Sequence, residues 1–276
     1  MKMLVETDTH IHTTVSDCCE DLQMTAENIA VSAWKRGLKM IAITDHIWAN
    51  TAVPCNEFYK VHPEDKLVKH AESIRKGEYP IPVLAGCEAD MRAPGEFGIT
   101  KESREKFDLV LLSSDHFHMT KFVEQAESDT PAAWAKQMMR FFRSAANSGL
   151  ADILVHPMFL IGHVEHYDKA IGTIPDSELL EMFAEAAEKR VAMEINTAVV
   201  ASAKRGEFSE ETMIRLFSLA KLAGCKFTFG SDAHNISDFD SFSLAETFAE
   251  KLELTKNDLF DFSNILTLAK EKKGGK

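Results

Sequence analysis

Gly37-Leu38-Lys39-Met40-Ile41-Ala42-Ile43-Thr44-Asp45-His46 holds one repeating unit of the fold. A glycine able to take the left-handed conformation stops a helix, an apolar run of strand length follows at once, and the run ends in polar residues. The helix stopped here, 26–36, sets Ile29, Ala30, Ala33 and Trp34 on one face at a 3.6-residue period. The unit recurs at Gly149-Leu150-Ala151 and at Gly224-Cys225-Lys226. Helical stripes fall at Trp134, Met138, Phe141, Phe142 and Ala145, at Leu179, Leu180, Phe183, Ala184 and Ala187, and at Met213, Leu216, Phe217 and Ala220.

Seven strands are expected, at 3–7, 40–44, 82–86, 109–113, 153–156, 191–195 and 226–230. They are short and rich in Val, Ile, Leu and Phe, as parallel strands buried on both faces should be. Strand, loop, helix, glycine, strand is the repeat of an α/β barrel, here with one strand fewer than the usual eight. No linker or low-complexity segment divides the chain, so one domain over 1–276 is expected, with 270–276 as a flexible, solvated tail.

The 276 residues are 45% hydrophobic and carry a net charge of −12. Without a basic patch before the tail, extended nucleic acid is disfavoured as a partner. A small phosphorylated substrate stays open, because bound cations can meet its charge. No apolar run approaches the ~20 residues of a membrane span, and Met1-Lys2-Met3-Leu4-Val5-Glu6 turns polar too early for a signal peptide. Five cysteines without CxxC spacing fit a reduced compartment, and a cytoplasmic location is expected. The oligomeric state is not legible.

The polar ends of the strands carry the chemistry. In chain order they read Asp8-Thr9-His10-Ile11-His12, Thr44-Asp45-His46, Glu88, Ser114-Asp115-His116, His156-Pro157 and Ser231-Asp232-Ala233-His234, with Asp17 between the first two. His10 and His12 are two residues apart, so on extended backbone they point the same way. Imidazole and carboxylate suit Zn, Mn and Fe. Each element alone could be an ordinary polar strand end. A barrel of parallel strands brings all of them to one face.

DTHIHT, TDH, Gly86-Cys87-Glu88, SDH, HP, EIN at 194–196 and SDAH follow in the order of the polymerase-and-histidinol-phosphatase (PHP) family, which the chain resembles from Asp8 to His234. The resemblance implies a distorted (β/α)7 TIM-like barrel holding two or three divalent metal ions, Zn, Mn or Fe, at its C-terminal face. By position, one ion takes His10, His12, Glu88 and Asp232. A second shares Glu88 and adds His116 and His156. A third takes Asp17, His46 and His234. Asp115 departs from the small or apolar residue common at its position. Asp8 and Asp45 are placed either to hold ligand rings or to cap strand-end turns.

Three divalent cations against three carboxylates leave positive charge that a phosphate monoester dianion would neutralise. The expected reaction is therefore phosphomonoester hydrolysis by in-line attack of a metal-activated hydroxide. Asp232 is the candidate proton acceptor, and His234 or His46 the group for the leaving oxygen. Arg92, Lys121, Lys204 and Arg205 fall on loops of the same face as candidate phosphate contacts, an Arg giving bidentate hydrogen bonds. His118 and Asn196 are further candidate substrate contacts, and His62 and His70 read as surface residues. Length and the EINTA stretch resemble the histidinol-phosphatase branch, whereas 199–208 departs from its aromatic-Pro pattern. The substrate expected is a small phosphorylated metabolite, histidinol phosphate being one candidate. The alternatives are a nucleotide phosphatase or short-oligonucleotide nuclease of the same family, a non-catalytic metal-binding interaction module, and C–N bond hydrolysis by the same hydroxide.

Overall fold

Met40–Ile43 forms a strand whose four side chains are all buried, and its alternate residues enter two different cores. Ile41 and Ile43 join a large cluster with the surrounding helices, while Met40 and Ala42 join a smaller one with Leu84, Leu109, Leu111, Ile153, Val155 and Ala192. Side chains two residues apart share a face, so the second cluster is the lumen of a barrel. The computed structural model describes residues 4–274.

The strands in chain order are β1 Thr7–Asp8, β2 Met40–Ile43, β3 His46–Ile47, β4 Val83–Ala85, β5 Cys87–Ala93, β6 Glu96–Phe97, β7 Val110–Ser113, β8 Ile153–Val155, β9 Ala192–Asn196 and β10 Phe227–Gly230. All pair in parallel except the β5–β6 hairpin. β2 and β3 are halves of one interrupted strand, and so are β4 and β5. Gly86 N–H to Ile43 O (2.9 Å) and Glu88 N–H to Asp45 O (3.0 Å) carry the pairing across both breaks. Gly86 permits the close approach of both neighbours, since a Cβ there would lie 2.8 Å from Thr44 Cγ2 and 2.8 Å from Leu109 O. Thr9 N–H to Phe229 O (2.9 Å), Asp232 N–H to His10 O (2.8 Å) and His12 N–H to Ala233 O (3.0 Å) then join the first strand to the last and close the ring.

The fold is thus a seven-stranded, distorted parallel barrel wrapped by helices. Gly37, Gly149 and Gly224 end helices at φ of +88°, +69° and +92°, as their spacing predicts. The first strand differs from expectation. Met3 lies outside the described residues, and the paired stretch runs from Thr7 through the bridge at Ile11, because its hydrogen bonds go to β10 and the segment after it. The expected tail also differs. A helix spans Ser263–Lys273, with Ile265, Leu266 and Ala269 packing beside Phe262 against the lumen cluster. Lys272 and Lys273 donate to Phe107 O (2.6 Å) and Gly77 O (2.7 Å), so these lysines bind the barrel. Residues 275–276 lie outside the described residues. Among the described residues no helix is long and apolar enough to cross a membrane.

Close approach also matters at Gly230, where an added Cβ would collide with Glu194 Oε1 and come within 2.6 Å of His10 Cβ. Gly230→Ala should therefore cost about 1–3 kcal/mol, the usual penalty of overpacking. Thermal denaturation checks this, and an unchanged midpoint would contradict the close contact.

Candidate metal centre

The strand parity that puts Met40, Leu84 and Ala192 into the lumen also aims His46, Glu88, Asp90 and Glu194 inward at its C-terminal end. They meet His10, His12, His156 and Asp232 there. His10 Nε2 and His12 Nε2 are 3.1 Å apart. Glu88 Oε2 lies 3.3 and 3.4 Å from them, and Asp232 Oδ1 lies 3.5 and 3.3 Å. These four side chains are the set expected at the first position. Glu88 also stands at the centre of the site, with Oε2 3.1 Å from His46 Nδ1 and Oε1 3.5 Å from His156 Nε2.

Of the remaining expected groups, His116 lies with His156 and His46 with His234, while Asp17 stands apart. His116 stacks on His156 (ring centroids 5.2 Å apart), but its Nδ1 faces Asp90 Oδ1 at 2.5 Å and not Glu88. Asp17 is exposed and its backbone N–H donates to His62 Nε2 at 2.9 Å; Cys18, also exposed, sets its Sγ 3.1 Å from His234 Nε2. His12, Cys18, His46 and His234 form one group of mutually close donor atoms. His62, expected at the surface, is fully buried and also donates to Phe58 O (2.7 Å). His70 faces Asp45 Oδ2 at 3.2 Å.

Outer partners fix the rings. Glu194 Oε1 accepts from His10 Nδ1 (2.9 Å), while Oε2 accepts from His156 N–H (2.9 Å) and Asn196 Nδ2 (3.1 Å). Asp115 Oδ1 accepts from His156 Nδ1 at 2.7 Å and from Ser113 Oγ at 3.0 Å, which gives this unusual residue its role. Ser16 Oγ donates to Asp45 (2.7 Å) and accepts from His12 Nδ1 (3.3 Å) and His46 N–H (3.0 Å), so Asp45 acts on His12 through Ser16. With the Nδ1 proton of His10, His12 and His156 so engaged, each Nε2 faces the centre and becomes a ligand atom once it is deprotonated, the arrangement typical of ligating histidines. Asp8 caps a turn, accepting from His10 N–H and Ser231 N–H. Sequence reasoning missed Asp90, Glu194 as a ring holder, and Cys18. The signal for the first two is a carboxylate on the lumen parity of a buried strand, which costs free energy unless paired.

His156 and Asp232 have φ of +32° and +56°, left-handed values that cost a non-glycine residue of order 1–3 kcal/mol. Both are held there by backbone hydrogen bonds, to Glu194 and to His10 O. Such strain concentrates at functional sites.

Burial opposes charge on His10, yet Glu194, Asp232 and Glu88 outweigh it and hold the imidazole well above its ordinary pKa. His46 and His156 are raised against burial in the same way, the first by Glu88 and Asp90, the second by Asp115 and Glu88. Burial lowers His12 to about 4, helped by His46 and His234. Burial would raise Glu88, but His46 and His10 keep it well below the usual carboxylate range. His234, against its burial, is pushed up to about 9 by Cys18 and Asp232.

His46 Nδ1, Glu88 Oε1, both Asp90 carboxylate oxygens, Asp115 Oδ2 and His116 Nδ1 are buried without a well-aligned hydrogen-bond partner. Opposite charges here touch without the geometry of a hydrogen bond. Divalent cations among these donors would satisfy them, and the imidazole and carboxylate set fits such ions.

Residues 8–198 match the PHP domain family. The chain belongs to that family. It is 29% identical over 268 residues to a protein of Photobacterium profundum named as a probable phosphatase, covering 97% of this chain and 90% of the relative. A protein of Aliivibrio fischeri with the same description is 25% identical over 263 residues, covering 95% and 91%. In fold the chain is similar to a histidinol phosphate phosphatase from Lactococcus lactis, solved with zinc, L-histidinol and phosphate; the TM-score is 0.56 and the identity 18%, covering 93% of this chain and 99% of that one.

Of the candidate substrate contacts in this PHP barrel, several are engaged elsewhere. Arg92 is paired with Glu96 at 2.6 Å across the β5–β6 hairpin. Lys204 pairs with Glu210 (3.1 Å) and Arg205 with Glu207 (2.7 Å). The loop expected before them is the helix Thr197–Lys204, eight residues that carry both about 12 Å from Asn196 at 1.5 Å per residue. Asn196 caps that helix, accepting from Val199 N–H at 3.1 Å, so its side chain serves backbone and Glu194. His118 and Lys121 are exposed on the loop after β7, the His118 ring 5.3 Å from that of His116.

In metal-free protein near neutral pH, His10, His46, His156 and His234 hold protons, because their pKa values are raised. Ligation needs neutral imidazole, so metal binding must release protons and tighten as pH rises toward about 9, where His234 titrates. Calorimetry in buffers of different ionisation enthalpy should report net proton release. An absence of release would contradict the protonation of these four histidines.

Proposed function

We propose that this protein is a metal-dependent phosphoric monoester hydrolase acting on a small phosphorylated metabolite. The enzyme class, a phosphatase, rests on the family and on the relatives named as probable phosphatases. The observation that carries the mechanistic reading is Glu88, one buried carboxylate within 3.5 Å of ring nitrogens of His10, His12, His46 and His156. A carboxylate so placed can bridge two cations. Bound divalent ions would supply the acidity that makes water a nucleophile at neutral pH and the charge that receives a phosphate.

The first position takes His10, His12, Glu88 and Asp232. The second is built around Glu88 and His156, with His116 and Asp90 beside them and Asp115 fixing the His156 ring. In this reading Asp232, its side chain 25% exposed, both binds a cation and accepts the proton of the attacking water. His234, 28% exposed, serves the leaving oxygen where no third cation takes it as a ligand. With Arg92, Lys204 and Arg205 paired to glutamates, His118 and Lys121 are the groups left on this rim to meet a substrate. Histidinol phosphate is one candidate substrate, since the Lactococcus lactis protein was solved with histidinol and phosphate.

The test is product release from a panel of histidinol phosphate, sugar phosphates, nucleoside monophosphates and short oligonucleotides, with Mn, Zn or Fe returned to chelated protein. Metal-dependent release peaking on one compound supports the reading. Release from oligonucleotides alone would move the protein to the nuclease reading, and no release from fully metallated protein would refute hydrolysis.

A further inference from the structure

A second kind of donor set lies beside the first, with one exposed and one half-buried member. Cys18 Sγ lies 3.1 Å from His234 Nε2, and His12, Cys18, His46 and His234 each offer a donor atom within 4.8 Å of the others. His234 Nδ1 is spent on Asp232 O at 2.8 Å, which leaves Nε2 as the free donor facing the sulfur. His234 is held in register by its stack on His12, ring centroids 4.4 Å apart. The His46 side chain is only 8% exposed, and its Nδ1 faces Glu88 Oε2 at 3.1 Å on the other side of the ring. The neighbouring thiol is turned elsewhere: Cys19 Sγ donates to His234 O at 3.1 Å. Asp17, the carboxylate next to Cys18, is exposed and anchored through its backbone to His62.

We propose that Cys18, His46 and His234 form a third metal site whose anionic ligand is a cysteine thiolate and not the Asp17 carboxylate. The proposal rests on the metal-centre reading above and deepens it. On ligation the thiol gives its proton to solvent, so Cys18 brings the one negative charge expected of Asp17. The consequence is selectivity. Thiolate favours zinc and similar softer ions, whereas manganese prefers oxygen donors. The centre then combines imidazole and carboxylate positions open to several metals with one position biased toward zinc.

Cobalt(II) is the probe, because thiolate ligation gives it an intense near-ultraviolet charge-transfer band that nitrogen and oxygen ligands do not give. Chelated full-length protein, its Cys18→Ser variant and its Asp17→Asn variant are loaded with cobalt, freed of excess, and read by absorption and by metal content. Wild type and Asp17→Asn should show the band and bind the same number of ions. Cys18→Ser should lose the band and one ion per chain. Cobalt bound by wild type without the band, or an ion lost by Asp17→Asn and kept by Cys18→Ser, would overturn the thiolate site while leaving the rest of the centre standing. Wild type that binds no cobalt would overturn both readings. If Cys18→Ser fails to fold, the band in wild type and its persistence in Asp17→Asn still decide.

Discussion

Glu88→Gln should lower phosphatase turnover by about three orders of magnitude, ~4 kcal/mol of transition-state stabilisation. Gln keeps the shape of the side chain but removes the charge on which ring nitrogens of His10, His12, His46 and His156 converge. It can still accept a hydrogen bond, so the protein should stay folded. It cannot bridge two cations as a carboxylate does, so metal content should fall with turnover. Steady-state kinetics beside metal analysis checks both. Full activity in this variant would show that Glu88 is not the bridging group.

Asp115→Asn is the second large effect, expected at about 10–100-fold in metal affinity or activity, the usual loss when the outer partner of a ligating histidine is changed. Asp115 Oδ1 accepts from His156 Nδ1 at 2.7 Å and so fixes the ring whose Nε2 faces Glu88. Asn can retain the hydrogen bond but not the charge that holds the imidazole in place. Zinc titration of the chelated variant measures the change, and wild-type affinity would reduce Asp115 to a structural role.

The barrel is readable because parallel strands buried on both faces announce themselves as continuous apolar runs, as at Met40–Ile43, and because a helix-stopping glycine precedes several of them. The same parity that makes His10 and His12 a pair explains the inner ring of Glu88, Asp90 and Glu194. Asp90 is hidden in the sequence because the third apolar run stops at 86, whereas the chain passes Gly86 with only a kink and pairs on to Ala93. Asp17 and Cys18 are adjacent and both exposed, and only the folded chain shows that the Cys18 sulfur lies against His234. Arg92, Lys204 and Arg205 resemble phosphate contacts in sequence because their acidic partners and the helix Thr197–Lys204 are features of the folded chain. The C-terminal helix carries its signal openly, apolar at 265, 266 and 269, but its lysines suggest a solvated end.

The central claim is that cations occupy defined positions among these side chains. Anomalous diffraction from crystals of protein reconstituted with zinc, recorded at the zinc edge, tests it most directly. One peak is predicted inside His10, His12, Glu88 and Asp232, and another between Glu88 and His156. A map without a peak at His10, His12, Glu88 and Asp232, from crystals of active protein, would contradict the claim.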